Sequence, residues 1–226
     1  IEWVGSYRQS QQSQLLLQTA KLSEQISNLV HELQKERGRT AGFLGSQGKQ
    51  FGSELTAQHQ STDEKYQSLL TVIQTYPVDQ VSDRIRQRLE TAVQTSKQIN
   101  QIRQQVQSQQ IDTPKAIAYY TQLNSQMLTV VQSMADQSTT GSIATQLAAN
   151  LYLQKTKENA GIERALLSNA FAADQFNPVI FRRFVGNLAQ QQAFMHEFEN
   201  LATPKMQSVF DQVSADASFA RVEHYR

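Results

Sequence analysis

Residues 15–44 read LLLQTAKLSEQISNLVHELQKERGRTAGFL, and within them Leu15, Leu22, Ile26, Leu29, Leu33, Thr40 and Leu44 recur at helical spacing. That period marks one face of an α-helix and not the alternation of a strand. The helix it predicts covers about residues 7–45, far beyond the usual length of about 11–12 residues, as a bundle or coiled-coil rod requires. Gly45-Ser46-Gln47-Gly48 is its stop, with glycine in C-cap position. The end of the stretch, Leu33 to Leu44, is unusual. It sets an arginine on the face that should be apolar, and it places Gly38 and Gly42 where a long helix favours alanine. Residues 153–164, LQKTKENAGIER, form a near-echo of it.

The rest of the chain repeats the helical pattern. A second helix is predicted over 51–76, with Leu55, Tyr66, Leu69, Leu70 and Ile73 inward, and Pro77 ends it. A third covers 81–107, with Val81, Ile85, Leu89, Ala92, Ile99, Ile102 and Val106 on one face. Asp112-Thr113-Pro114 pairs a capping side chain with proline in the first turn and starts a fourth, carrying Ile117, Tyr120, Leu123, Met127, Leu128 and Val131. A fifth, 143–172, is apolar on more than one side, as in a helix with several neighbours. Its rows are Leu147, Leu151, Ile162, Leu166 and Leu153, Ala160, Leu167, Phe171. Asn177-Pro178 and Thr203-Pro204 open two more, whose expected core is Val179, Phe181, Phe184, Leu188, Phe194, Phe198, Leu201, Met206, Val209, Phe210 and Val213. No strand pattern competes, so the chain is all-α, with antiparallel up-down helices in one or two bundles. Its 226 residues are read as a single domain whose first part, 1–137, and second part, 142–226, are joined by the Ser138-Thr139-Thr140-Gly141 loop.

Composition narrows the function. A net charge of +1 gives no electrostatic footprint for nucleic acid or a membrane surface. With 0 cysteines, disulfides, thiol nucleophiles and thiolate metal sites are excluded. His31, His59, His196 and His224 are scattered without metal-ligand pairing, there is no nucleophile elbow, and Gly45-Ser46-Gln47-Gly48 lacks the lysine-serine/threonine ending of a phosphate loop. Neither an enzyme nor a cofactor or metal protein is expected. The start at Ile1 and the helical end point to a piece of a longer protein, such as a domain lying between two membrane helices.

At about 100° per residue, Arg37 lies near the apolar stripe of its helix, Arg103 lies on that of the third, and Arg164 continues the row of Ala160 and Leu167. Burying a guanidinium alone costs several kcal/mol. Three accounts are open: ion pairs with Glu36, Glu158 or Glu163 that fix bundle register, snorkelling to water, or a small oxyanion held by converging guanidinium forks. Gly38, Gly42 and Gly161 fit close approach to such a ligand or simple tight packing.

The runs Gln34-Lys35-Glu36-Arg37-Gly38 with Thr40 to Leu44, and Lys157-Glu158-Asn159-Ala160-Gly161-Ile162-Glu163-Arg164, resemble the two signatures of the nitrate- and nitrite-sensing (NIT) family. Ile102-Arg103 and Tyr119-Tyr120-Thr121 are similar to its middle segment. The resemblance implies two stacked four-helix bundles sharing long helices, and a nitrate or nitrite ligand held by Arg37, Arg103 and Arg164. Gly38, Thr40, Gly161 and Arg39 are supporting candidates, although Arg39 departs from the small or apolar residue usual there. The implied setting is a homodimeric, membrane-anchored chemotaxis receptor with this domain in the periplasm and no nucleic acid bound. A cytoplasmic sensor domain is the alternative placement. The alternative function is a structural or dimerisation rod whose arginines are paired internally.

Overall fold

Helix α1 spans Glu2–Gly45 and ends where the glycines predict. Beyond it, Gln47 and Gly48 take positive φ of 54° and 75°, and the Gly48 amide closes the turn on the Phe43 carbonyl at 2.9 Å. This computed structural model describes residues 2–138, 141–172, 175–176 and 178–216. Expectations at Thr139, Thr140, Asn177, His224 and the Phe171 side chain lie outside the described residues.

Helix α2 is Gly52–Thr75, with Pro77 two residues beyond its end. A 3₁₀ turn, Val78–Gln80, leads to α3, Asp83–Ser96, and α4, Ile99–Gln107. These replace the single third helix that periodicity predicts. The break at Lys97-Gln98 follows Ser96, whose hydroxyl bonds the Val93 carbonyl at 2.7 Å and the Tyr66 hydroxyl at 2.8 Å. A serine that bonds its own backbone in this way competes with the helical ladder. Helix α5, Thr113–Gln137, is capped by Asp112, whose carboxylate accepts from the Lys115 amide at 2.8 Å. Helix α6 is Gly141–Ala172, α7 is Pro178–Leu201 and α8 is Pro204–Ser214.

The fold is all-α, two stacked bundles of up-down helices that share long elements. In the first, α1 packs on α2 and α5, and α3 packs on α5. Its core is Leu22, Ile26, Leu29, Leu33, Leu69, Leu89, Tyr120, Leu123 and Met127. Helix α6 lies beside both α1 and α5 and carries α7 on its far side, which accounts for its all-round apolar character. Contacts along the α1–α6 seam advance together on both helices, from Ser27–Asn150 through Gln34–Glu158 to Gly38–Arg164, so the two run parallel. Tyr152–Phe194 joins α6 to α7, and Phe198–Phe210 joins α7 to α8. The outer helices do not bury all that was expected: Val179, Phe181, Val209 and Val213 are all at least half exposed. Among the described residues no further helix covers these positions of α7 and α8.

Candidate functional site

Consecutive residues of α1, Glu36 and Arg37, point about 100° apart and so into different bundles. Glu36 is fully buried in the first bundle. Arg103 of α4 grips it with both sides of the fork, Nε to Oε1 and Nη2 to Oε2, each at 2.9 Å. The Tyr120 hydroxyl donates to Oε1 at 2.8 Å, and Arg103 Nη1 reaches Asp63 at 2.7 Å and Asn100 at 3.2 Å. Burial alone would push the Arg103 guanidinium down, but Glu36 and then Asp63 outweigh it and raise its pKa. Burial, and next the Glu36 carboxylate, raise the Tyr120 phenol. Arg103 is therefore committed to an internal partner and stands apart from Arg37, as the ion-pair account anticipated.

Arg37 looks the other way, into the seam between α1, α5 and α6. It is buried, donates to Thr121 Oγ1 at 2.9 Å and pairs with Glu158 of α6. The second oxygen of Glu158 accepts from Gln34 at 3.0 Å and from Asn124 at 3.1 Å. Arg164 behaves differently from the apolar row expected of it. It is exposed, as is Ala160, and among the described residues it has no acidic partner. Among the described residues that side of α6 is not covered by a neighbouring helix, and the Arg164 side chain reaches from it across the edge of α1 to Gly38.

Two glycines bring the outer arginines together. A Cβ on Gly161 would stand 2.5 Å from Arg37 Nη2, and one on Gly38 would stand 3.2 Å from Arg164 Nη2. Each guanidinium thus lies across the bare backbone of the opposite helix, and both converge on the α1–α6 seam. Gly42 has a different role, making room for the Phe51 ring, 2.7 Å from its would-be Cβ. Thr40 is buried beside the Tyr120 hydroxyl, and Arg39 turns to α2, where it binds Gln58. Arg39 is thus no part of the seam. Glu163, expected as an alternative partner for arginine, meets Gln191 of α7 at 2.7 Å. A cleft of about 380 Å³ opens along the same seam below this layer, lined by Ser23, Glu24, Ser27, Asn150 and Gln154 together with Ile143 and Leu147.

Sequence reasoning missed Gln34 and Asn124. Asn124 could have been found: it sits one turn after Tyr120 in the apolar stripe of α5, a fully buried polar residue among Leu123, Met127 and Leu128.

The model of the family described as nitrate and nitrite sensing matches residues 28–226. The chain belongs to the nitrate- and nitrite-sensing (NIT) family. This NIT chain is 29% identical over 212 residues to a nitrate regulatory protein of Klebsiella oxytoca, covering 93% of its own length and 53% of the relative. It is also similar to the solved structure of the NasR transcription antiterminator, with a TM-score of 0.87, 28% identity, and coverage of 96% of this chain and 59% of that one. The NIT chain therefore spans a little over half the length of each. These relatives overturn the expected partners. They are a regulatory protein and a transcription antiterminator, where a membrane-anchored chemotaxis receptor indifferent to nucleic acid was expected. Among the described residues no helix is long and apolar enough to cross a membrane. The anchored-receptor setting is withdrawn, together with the exclusion of nucleic acid.

Proposed function

We propose that this NIT domain binds nitrate or nitrite at the α1–α6 seam, between Arg37 and Arg164, and reports occupancy by shifting α6 against α1 and α5. The observation that carries this reading is the reciprocal crossing of Arg37 over Gly161 and of Arg164 over Gly38. Two guanidinium forks reaching over bare backbone from parallel helices can meet a flat oxyanion edge to edge. Arg164 is the open, uncommitted side of the clamp and Arg37 the fixed side. Arg103 is reassigned from ligand residue to structural partner of Glu36. No bond is made or broken in this reading, so the domain is a receptor and not an enzyme. The likeness to a transcription antiterminator supports a place in the cytoplasm, where occupancy would be passed to a transcriptional output.

Thermal or urea unfolding with sodium nitrate or nitrite, against sodium chloride at equal ionic strength, tests it. At about one hundred times the dissociation constant the folded state gains about 2.7 kcal/mol. Arg37→Ala and Arg164→Ala abolish the gain, whereas Arg86→Ala retains it. Arg103→Ala lowers stability with or without anion, by about 3–5 kcal/mol, because Glu36 is left buried without its cation. A second reading, a rigid helical spacer, has the Arg37–Glu158 and Arg103–Glu36 pairs in its favour. It predicts no response to any small oxyanion.

A further inference from the structure

The carboxylate of Glu158 is held as a small planar anion would be held. One oxygen faces Arg37, itself steadied by Thr121, and the other takes two amide donors, Gln34 at 3.0 Å and Asn124 at 3.1 Å. These donors come from α1 and α5, while Glu158 is carried on α6. An O–C–O carboxylate and an O–N–O nitrite are both bent, planar and singly negative, with equivalent terminal oxygens, and one edge of nitrate has the same form. From this match we infer that the Glu158 carboxylate is a tethered stand-in for the ligand: nitrite or nitrate binds by displacing it from Arg37, Gln34 and Asn124. The inference rests on the seam as the anion site and adds Gln34 and Asn124 to the ligand's donors.

Three features support displacement over simple addition. Two anions cannot share one buried guanidinium cheaply, since like charges at contact in a poorly hydrated seam repel strongly. Glu158 also has somewhere to go. Helical side chains lean toward the N-terminus of their helix, and one turn below it Gln154 lines the open cleft of about 380 Å³, where a released carboxylate can reach water. Finally, the displaced pair is a link between bundles. Glu158 ties α6 to α1 through Arg37 and Gln34 and to α5 through Asn124, so its release loosens the second bundle from the first. The ligand would then favour a packing state in which that tie is broken, which is the differential affinity any signal requires.

The test is titration calorimetry of nitrite and nitrate against the full chain and three variants. Glu158→Gln keeps the shape and removes the competing charge, so affinity is expected to rise about tenfold or more. Glu163→Gln removes a carboxylate from the same helix outside the cradle and is expected to change affinity less than about twofold, separating displacement from a general charge effect. Glu158→Ala empties the cradle, and formate, a free carboxylate, is expected to raise its melting temperature by more than that of the wild type, where it must compete with Glu158. If Glu158→Gln does not fold, Glu158→Asp, with a shorter reach to Arg37, replaces it with the same expected direction. Nitrite binding to wild type with equal or weaker affinity for the Glu158 variant overturns the inference alone, as does a missing formate response in Glu158→Ala. No binding of any of these anions to wild type or variants overturns the seam reading with it.

Discussion

Gly38 and Gly161 are equivalent by helix propensity but not by surroundings. Alanine in place of either relieves the entropy cost of glycine in a helix interior, worth about 1 kcal/mol. At Gly38 the new Cβ meets an exposed Arg164 guanidinium at 3.2 Å, which can give way into solvent. Gly38→Ala is therefore expected to stabilise the fold by up to about 1 kcal/mol in urea unfolding. At Gly161 the Cβ would stand 2.5 Å from Arg37 Nη2, and that arginine is buried and pinned by Glu158 and Thr121. Gly161→Ala is expected to lose stability and to disturb anion binding, because the guanidinium must leave its partners. Equal responses in the two variants would show that the crossings are incidental.

The helices differ in how much of their stability is shared with the whole. Asp112 and Thr203 both cap helix starts, accepting from the amides three residues on, at 2.8 and 3.3 Å. Helix α5 buries a full face from Ala116 to Ala135, so its cap is coupled to the core. Asp112→Ala is expected to lower global stability by about 1 kcal/mol. Helix α8 has no fully buried residue among those described and meets α7 chiefly through Phe210 on Phe198. Thr203→Ala is expected to speed hydrogen exchange within α8 while leaving the global unfolding midpoint in place, since local opening is a separate, low-energy event. The caps and prolines were legible in the sequence because they act within a few residues of themselves. The break between α3 and α4 was not, because Ser96 bonds Tyr66 of another helix as well as its own backbone.

At the scale of the whole molecule, acid is expected to destabilise the fold through His59. Its imidazole packs against the polar layer of the first bundle, with Glu36 of α1, Asp63 of α2 and Arg103 of α4 around it. Burial lowers its pKa below the ordinary value of 6.5; Glu36 and Asp63 oppose that, and Arg103 adds to it. Burial first, and next Lys157, lower His31 in the same direction. In the window just below 6.5 the unfolded chain takes up a proton that the folded chain resists, so stability rises with pH there and falls as the solution is acidified. Urea midpoints measured from pH 7.5 to about 5.5 check this, and His59→Gln is expected to flatten the slope. An unchanged slope would assign the acid sensitivity elsewhere.

The sequence by itself determined the helical class, most helix boundaries and the family, since periodicity, caps and the two signature runs are local properties of the chain. It also singled out Arg37, Arg103 and Arg164. Only the tertiary structure separated them into a buried tie to Glu158, a structural grip on Glu36 and an exposed guanidinium over Gly38. Periodicity gives a side chain's angle about its own helix axis. It does not say which helix lies at that angle, how close its backbone comes, or what charge it presents.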